Sequence, residues 1–391
     1  MKPKIVIAGA GPAGSSLAIR LAGQGFNVTL IEREKFPRHK LCGEFISPEC
    51  LEHFRDLGVL DNMLLAGGDR ITETKFYAPS GKSASVPSEW FGGPFALSLS
   101  RAEMDHRLMQ RARDMGVEVL EETSAAGLLF EDDAVRGIRA RTIDGQTIDV
   151  DADLLIDATG RSGILTKLLN KEQGRPKTPK SPTLIGFKAH LKNVAMEKGV
   201  CEIYSFRGGY GGLSHVENNA ANFCFLIKAD LARQLNGKTN QIIEEVVFNN
   251  TRAAQTLKNA EPVHDWLAVA VDGFGPKELV PAPNLFSVGD AAAFIDPFTG
   301  SGMLMALESS AIIAQCITAH FDDIGVLSHV YQVAYGRAFR KRLFICGLLR
   351  RAAFSPGSAR VLIAALNSSN KARELLARAT RSSLRAGQNK V

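Results

Sequence analysis

Gly9, Gly11 and Gly14 form a G-x-G-x-x-G run at the end of the apolar segment 5–8, and Glu32 stands eighteen residues beyond Gly14. Each position has its own physical task. Gly9 permits a tight turn out of a strand, Gly11 lets backbone approach a pyrophosphate, and Gly14 lets the following helix sit close to the sheet. The pyrophosphate then meets the positive end of that helix, at Ala13 and its neighbours. A carboxylate at Glu32 accepts both hydroxyls of a ribose and repels a 2′-phosphate. The spacing predicts a dinucleotide site on a strand, a helix over 12–24 and a second strand over 28–31 that delivers Glu32.

The elements beyond this unit must return the chain to the same sheet. Ser100 caps a helix running to about 115, with Glu103 and Asp105 near its start. A strand at 117–120 follows, then short strands over 124–157 with a turn at Asp144-Gly145, ending in the apolar run 154–156 and the sequence Asp157-Ala-Thr-Gly160-Arg-Ser-Gly163. From about 180 to 275 the pattern changes to strands at 183–191, 200–206, 211–217 and 221–227 and helices near 228–236 and 239–250, which reads as an inserted layered domain. Strands at 73–78 and 83–86 join it. A buried strand over 284–288 leads into Gly289-Asp290, and helices occupy most of 300–350 and 358–385. The expected division is 1–72, 95–180 and 276–335 for the nucleotide domain, 73–94 and 181–275 for a substrate domain, and 336–391 for a basic helical carboxyl-terminal region.

A chain of 391 residues with 45% apolar content has ample material for two or three buried cores, which excludes a disordered class. No stretch approaches eighteen uninterrupted apolar residues and the chain opens on a strand, so neither a membrane span nor a secretory signal is expected. Six cysteines without a C-x-x-C pair argue against a zinc site or a disulfide framework. A cytoplasmic location follows as the expectation. The net charge of +6 is uneven: of 47 Lys and Arg, thirteen lie in 337–391 beside a single acid, Glu374. Basic and apolar residues alternate there at helical spacing, which suits either a solvated face covering the sheet or contact with an anionic membrane surface or an acidic carrier protein. No nucleic-acid module accompanies the charge.

Four separated motifs together resemble one superfamily of flavoproteins: the aromatic hydroxylases, flavin-dependent halogenases and geranylgeranyl reductases. They are Gly9-Ala-Gly11-Pro-Ala-Gly14 with Glu32, Ser100-Arg101-Ala-Glu-Met-Asp105, Ala158-Thr159-Gly160, and Gly289-Asp290 through Pro297 to Gly300-Ser301-Gly302. The resemblance, over about residues 3–350, implies an α/β fold: an FAD-binding, Rossmann-like parallel sheet of the glutathione reductase type 2, hydroxylase-like, with an inserted mixed β-sheet substrate domain and a helical carboxyl terminus. It implies tightly bound, non-covalent FAD held by Gly9, Gly11, Ala13, Gly14, Glu32, Arg33, Cys42, Gly43, Arg101, Ala125, Gly160, Gly289, Asp290, Pro297, Gly300, Ser301, Gly302 and Met303. Asp290 then binds ribityl hydroxyls, and the helix start at 300–303 faces the flavin's N1/O2 edge and stabilises its anionic reduced form. A helix cap at Asp290 and a surface ion pair of Arg101 with Asp105 are the plain alternatives. With one dinucleotide motif, the resemblance implies NADH or NADPH as a transient visitor.

The stretch Pro37-Arg38-His39-Lys40-Leu41-Cys42-Gly43-Glu44 is similar to the P-x-x-K-x-C-G segment of the geranylgeranyl reductases, and the resemblance lays it over the isoalloxazine. A Cys42 thiol activated by Lys40 or His39 is then a proton donor, although a Cys beside Gly is more often packing. Glu44 is either a flavin-side carboxylate or a solvated loop residue. Neither the aromatic-Pro motif of the reductases nor that of the halogenases occurs in 206–215; Tyr210 and its glycines offer an open wall and His215 a candidate base. The expected function is a single-component FAD-dependent monooxygenase that consumes NAD(P)H and O₂ to hydroxylate a hydrophobic, electron-rich aromatic or polyketide-like molecule. The alternative is a reductase of isoprenoid C=C bonds; under either reading the basic region offers peripheral attachment at the inner membrane surface.

Overall fold

The computed structural model describes residues 3–175 and 182–353 together with Glu374. Strands Leu285–Ser287, Leu154–Asp157, Lys4–Ala8, Asn27–Ile31 and Glu118–Leu120 lie side by side in that order, all parallel. A parallel sheet must be covered on both faces. Ile5, Ile7, Leu30, Ile156 and Phe286 pack on one side beneath helices Pro12–Gly23, Arg101–Asp114 and Gly302–His320. Val6, Ala8, Ile31, Leu155 and Leu285 pack on the other against the antiparallel strands Thr123–Glu131, Ala134–Thr142 and Thr147–Asp151.

The dinucleotide unit forms as its residue types require. Gly9 takes φ +104°, open to glycine, and a Cβ there would lie 2.4 Å from the carbonyl oxygen of Ala158. Pro12 opens the helix at a position that needs no N–H. Gly14 meets Gly9 so closely that a Cβ would stand 1.9 Å from its oxygen. Ser100 accepts the N–H of Glu103, as the capping pattern predicts.

A second sheet orders Glu261–Pro262, Leu184–Lys192, Ala221–Lys228, Gly209–His215, Val200–Phe206, Glu73–Tyr77 and Ser83–Pro87, with Leu267–Val271 also paired to Leu184–Lys192. Its outer face carries Phe187, Phe206, Phe223 and Phe225 under the helices at 229–257. Its inner face, with Ile203, Tyr210, Gly212, Cys224 and Leu226, turns toward the parallel sheet.

Two expectations are corrected here. The strand expected at 211–217 is Gly209–His215, because Gly208 at φ +82° turns the chain two residues earlier and pairs Phe206 with Gly209. The helix expected over 239–250 stops at Glu245, because Asn250 caps a new helix, Thr251–Leu257, by accepting the N–H groups of Arg252 and Ala253. Helix Gly302–His320 is long and apolar enough to cross a membrane, but two-thirds of its apolar window is buried within the protein. The expected helix over 358–385 lies outside the described residues apart from Glu374.

Candidate active site

A cavity of about 1010 Å³ separates the two sheets. Its lining brings together Glu32, Arg33, Ala125, Gly9, Gly11, Ala13, Arg101, Gly160, Lys40, Cys42, Gly43, Asp290, Pro297, Gly300, Gly302 and Met303. The Glu32 carboxylate is pinned at the strand end, Oε2 accepting the N–H of Ala10 at 2.9 Å and Oε1 that of Glu34 at 3.1 Å. Each oxygen keeps a lone pair for a ribose hydroxyl. A Cβ on Gly11 would have Arg101 Nη2, at 3.8 Å, as its nearest neighbour, so backbone there is open to a ligand.

Asp290 meets the parallel sheet's end at the same cavity. Among the described residues its carboxylate receives no side-chain hydrogen bond, and burial pushes its pKa up against the opposing pull of Lys40, Lys277, Arg101 and Arg161. A carboxyl in that state calls for donors from a ligand, which ribityl hydroxyls supply. With the pinned Glu32 and the first-turn N–H groups of Pro12–Gly23, the polar groups present fit the ribose, pyrophosphate and ribityl parts of FAD.

Arg101 reconciles its two readings. Its Nε and Nη2 grip Asp105 at 2.8 and 2.6 Å, but the pair is buried and Arg101 lines the cavity. Burial alone would raise Asp105; the Arg101 guanidinium, then Arg38 and Lys40, hold it below the ordinary range. Lys40 is exposed to the open cavity, and the protein packed around that cavity, then Arg101 and Arg38, pushes its ammonium down to about 8. An anion in the cavity favours the charged form, so binding of a phosphate-bearing ligand is expected to weaken as pH rises through 8. Flavin fluorescence titrations at pH 7 and pH 9 check this, and Lys40→Met flattens the difference.

Several expected site residues stand elsewhere. Gly14 and Gly289 serve packing: a Cβ on Gly289 would come 2.8 Å from that of Ala13, and its N–H donates to Ser309. Ser301 is fully buried behind the wall. His215 lies outside the cavity lining with Nε2 3.0 Å from the Met196 oxygen, because the early turn places it at the far end of its strand. Glu44 is no solvated loop residue. It is completely buried at φ +54°, bonded to Lys188 Nζ, His190 Nε2 (2.7 Å) and the Arg101 N–H (2.8 Å). Lys188 and His190 escaped the sequence reading, though their alternation on one face of an otherwise apolar strand is a visible signal. Asp296 also escaped it, and accepts the Tyr210 hydroxyl at 2.6 Å.

Known proteins identify the family. The FAD binding domain family matches residues 2–323. The digeranylgeranylglycerophospholipid reductase of Methanosarcina acetivorans is 26% identical over 321 residues, 80% of this chain and 74% of the relative. The menaquinone reductase of Mycolicibacterium smegmatis is 27% identical over 328 residues, 81% and 76% of the two chains. The solved flavin-dependent brominase Bmp2 shares the fold, with a TM-score of 0.81 at 19% identity over 97% of this chain and 93% of that one. On the extent of the family match, the chain belongs to the FAD binding domain family and is an FAD-dependent oxidoreductase of the superfamily that includes geranylgeranyl reductases and flavin-dependent halogenases.

Proposed function

We propose that the chain is an FAD-dependent, NAD(P)H-consuming monooxygenase acting on a hydrophobic, electron-rich aromatic or polyketide-like molecule. The observation that carries this reading is the aromatic end of the cavity. Tyr210 stands edge-on to Phe298 at 5.1 Å, Phe76 is 6.1 Å from Phe298, and Phe294 stacks on Phe274 at 4.8 Å. Such rims receive a further flat ring by stacking or edge contact and keep water out. The Tyr210 hydroxyl is tied to Asp296, so it adds little polarity. Bound FAD supplies the redox chemistry; Glu32, Asp290 and the helix start bind and orient it, and the start of helix Gly302–His320 places a positive dipole end on the cavity wall. The test is NAD(P)H oxidation in ¹⁸O₂ with a panel of phenols and polyketides. Substrate-stimulated oxidation with label in the product is expected; unlabelled product or none across the panel ends the reading.

One observation favours a second reading, reduction of an isoprenoid C=C bond. The Cys42 thiol lies on the cavity wall within reach of the Arg101 guanidinium, where it can give the proton that complements a hydride. Under this reading Cys42→Ser lowers anaerobic alkene reduction by about a hundredfold; under the first, hydroxylation survives the substitution.

The basic region joins this proposal as a docking face for anionic lipid. Arg337, Arg340, Lys341, Phe344 and Leu348 are exposed along one side of helix Ile324–Ala353. Salt-sensitive binding to phosphatidylglycerol vesicles is expected, and reversing Arg337, Arg340 and Lys341 to Glu abolishes it; binding that survives removes the face from the proposal.

A further inference from the structure

Strand Gly209–His215 contains Gly209, Gly211 and Gly212, and they face two ways. Gly209 and Gly211 point to the outer face, where a Cβ on the first would stand 2.1 Å from the Leu226 oxygen and one on the second 2.9 Å from the Phe225 Cβ, so packing accounts for both. Gly212 points the other way and lines the cavity. Its backbone is ordinary strand, and apart from its chain neighbours a Cβ there would meet within 4 Å only the Ile203 Cδ1, at 3.1 Å, the free end of a flexible side chain. Neither backbone conformation nor nearby backbone calls for glycine at this position. A glycine inside a strand weakens it and marks a place where something else comes close. Pairing across four strands puts Phe76, Ile203, Gly212 and Cys224 in one row on the cavity side. All four are half-buried, whereas the next row, Thr74, Cys201, Ser214 and Asn222, is buried throughout. The open row is a trough across the sheet with its low point at Gly212. Ile203 and Cys224 flank that point on strands whose backbones stand about 10 Å apart.

We infer that Gly212 determines the size of ring this cavity accepts: a flat fused aromatic of two or more rings lies across the row, seated in the space that a side chain at 212 would fill. The inference rests on the reading of an aromatic substrate and adds its size class. Phe76, Ile203 and Cys224 are apolar or weakly polar, so the trough offers contact area without charge. Phe298 lines the same cavity and lies against Phe76 and Tyr210, which adds a ring edge beside the row. The groups fitted to FAD, Glu32, Asp290 and the start of helix Pro12–Gly23, all belong to the parallel-sheet half of the fold and leave this face of the second sheet to the substrate. A single ring leaves the gap between the flanking strands part empty, whereas a fused pair reaches from the Ile203 side toward Cys224 and passes directly over Gly212.

The test is equilibrium binding to the FAD-loaded full chain without NAD(P)H, read by the shift in flavin absorbance, with phenol and 2-naphthol as the probes. Because nothing turns over, a failure of hydroxylation leaves this test standing, and a failure here leaves the flavin chemistry standing. The wild-type protein is expected to bind 2-naphthol more tightly than phenol. Gly212→Val weakens 2-naphthol by about tenfold or more and phenol by less than about threefold, and Gly212→Ala gives an intermediate loss for 2-naphthol. Flavin content is retained and the urea midpoint is unchanged or higher, since a β-branched residue suits a strand better than glycine does. Wild-type 2-naphthol affinity in Gly212→Val, or an equal loss for both probes, overturns the assignment. So does wild-type protein that binds the two probes alike. Loss of flavin from Gly212→Val overturns it too, because the space at 212 then belongs to the cofactor. Should the valine variant not fold, Gly212→Ala decides alone: 2-naphthol affinity equal to that of the wild type overturns the inference, and a selective loss supports it.

Discussion

Gly14→Ala is expected to destabilise the protein by about 3 kcal/mol and to strip it of flavin. The added Cβ would stand 1.9 Å from the Gly9 carbonyl oxygen and 3.2 Å from the Ala158 Cβ, and the nearer obstacle is backbone that cannot rotate away. Helix Pro12–Gly23 must lift from the sheet, which opens its contact with helix Gly302–His320, where Ser310 donates to the Ala13 oxygen at 2.7 Å. The same displacement moves the first-turn N–H groups away from the pyrophosphate position. Urea unfolding and the flavin absorbance of the purified protein read the two effects. Gly43→Ala is the contrast: no heavy atom lies within 4 Å of the new Cβ, so stability is unchanged and any loss of flavin reports contact with the cofactor itself. Wild-type stability and flavin content in Gly14→Ala would show that the helix does not pack as described.

Asp105→Asn carries a comparable effect by a different route. Asp105 is fully buried and answers both Arg101 and Arg38, the latter at 2.9 Å. Removing one side of a buried ionic cluster leaves uncompensated charge, at a cost of about 3–5 kcal/mol. The pH dependence has a definite sign. Because the folded-state pKa of Asp105 is depressed, its contribution is fully present above the unfolded value near 3.8 and is lost as pH falls through the lower folded value. The difference between wild type and variant in urea unfolding is therefore largest at neutral pH and shrinks in strong acid. A constant difference across that range would remove Asp105 from the account.

Much of the cofactor half was legible because its signals are local. The turn at Gly9, the helix opened by Pro12 and the strand ending at Glu32 each depend on backbone requirements met within a few residues. The same holds for the Ser100 cap. Where local signals compete, the reading slipped: Gly208 drew the strand back to Gly209, Asn250 broke an expected helix, and His215 went with the shifted strand. Gly289 and Ser301 sit in a flavin-like motif, yet side-chain volume and burial turn them to packing behind the wall.

The sequence by itself determined the dinucleotide architecture and the chemistry of the residues near it, since φ > 0, close approach and capping are properties of short segments. Only the tertiary structure decided what Glu44 meets. Its partners Lys188 and His190 are 144 and 146 residues away. Whether a strand's charged alternate residues face solvent or a buried carboxylate depends on which surface the sheet is packed against. That choice belongs to the meeting of the two sheets, and with it came the aromatic wall.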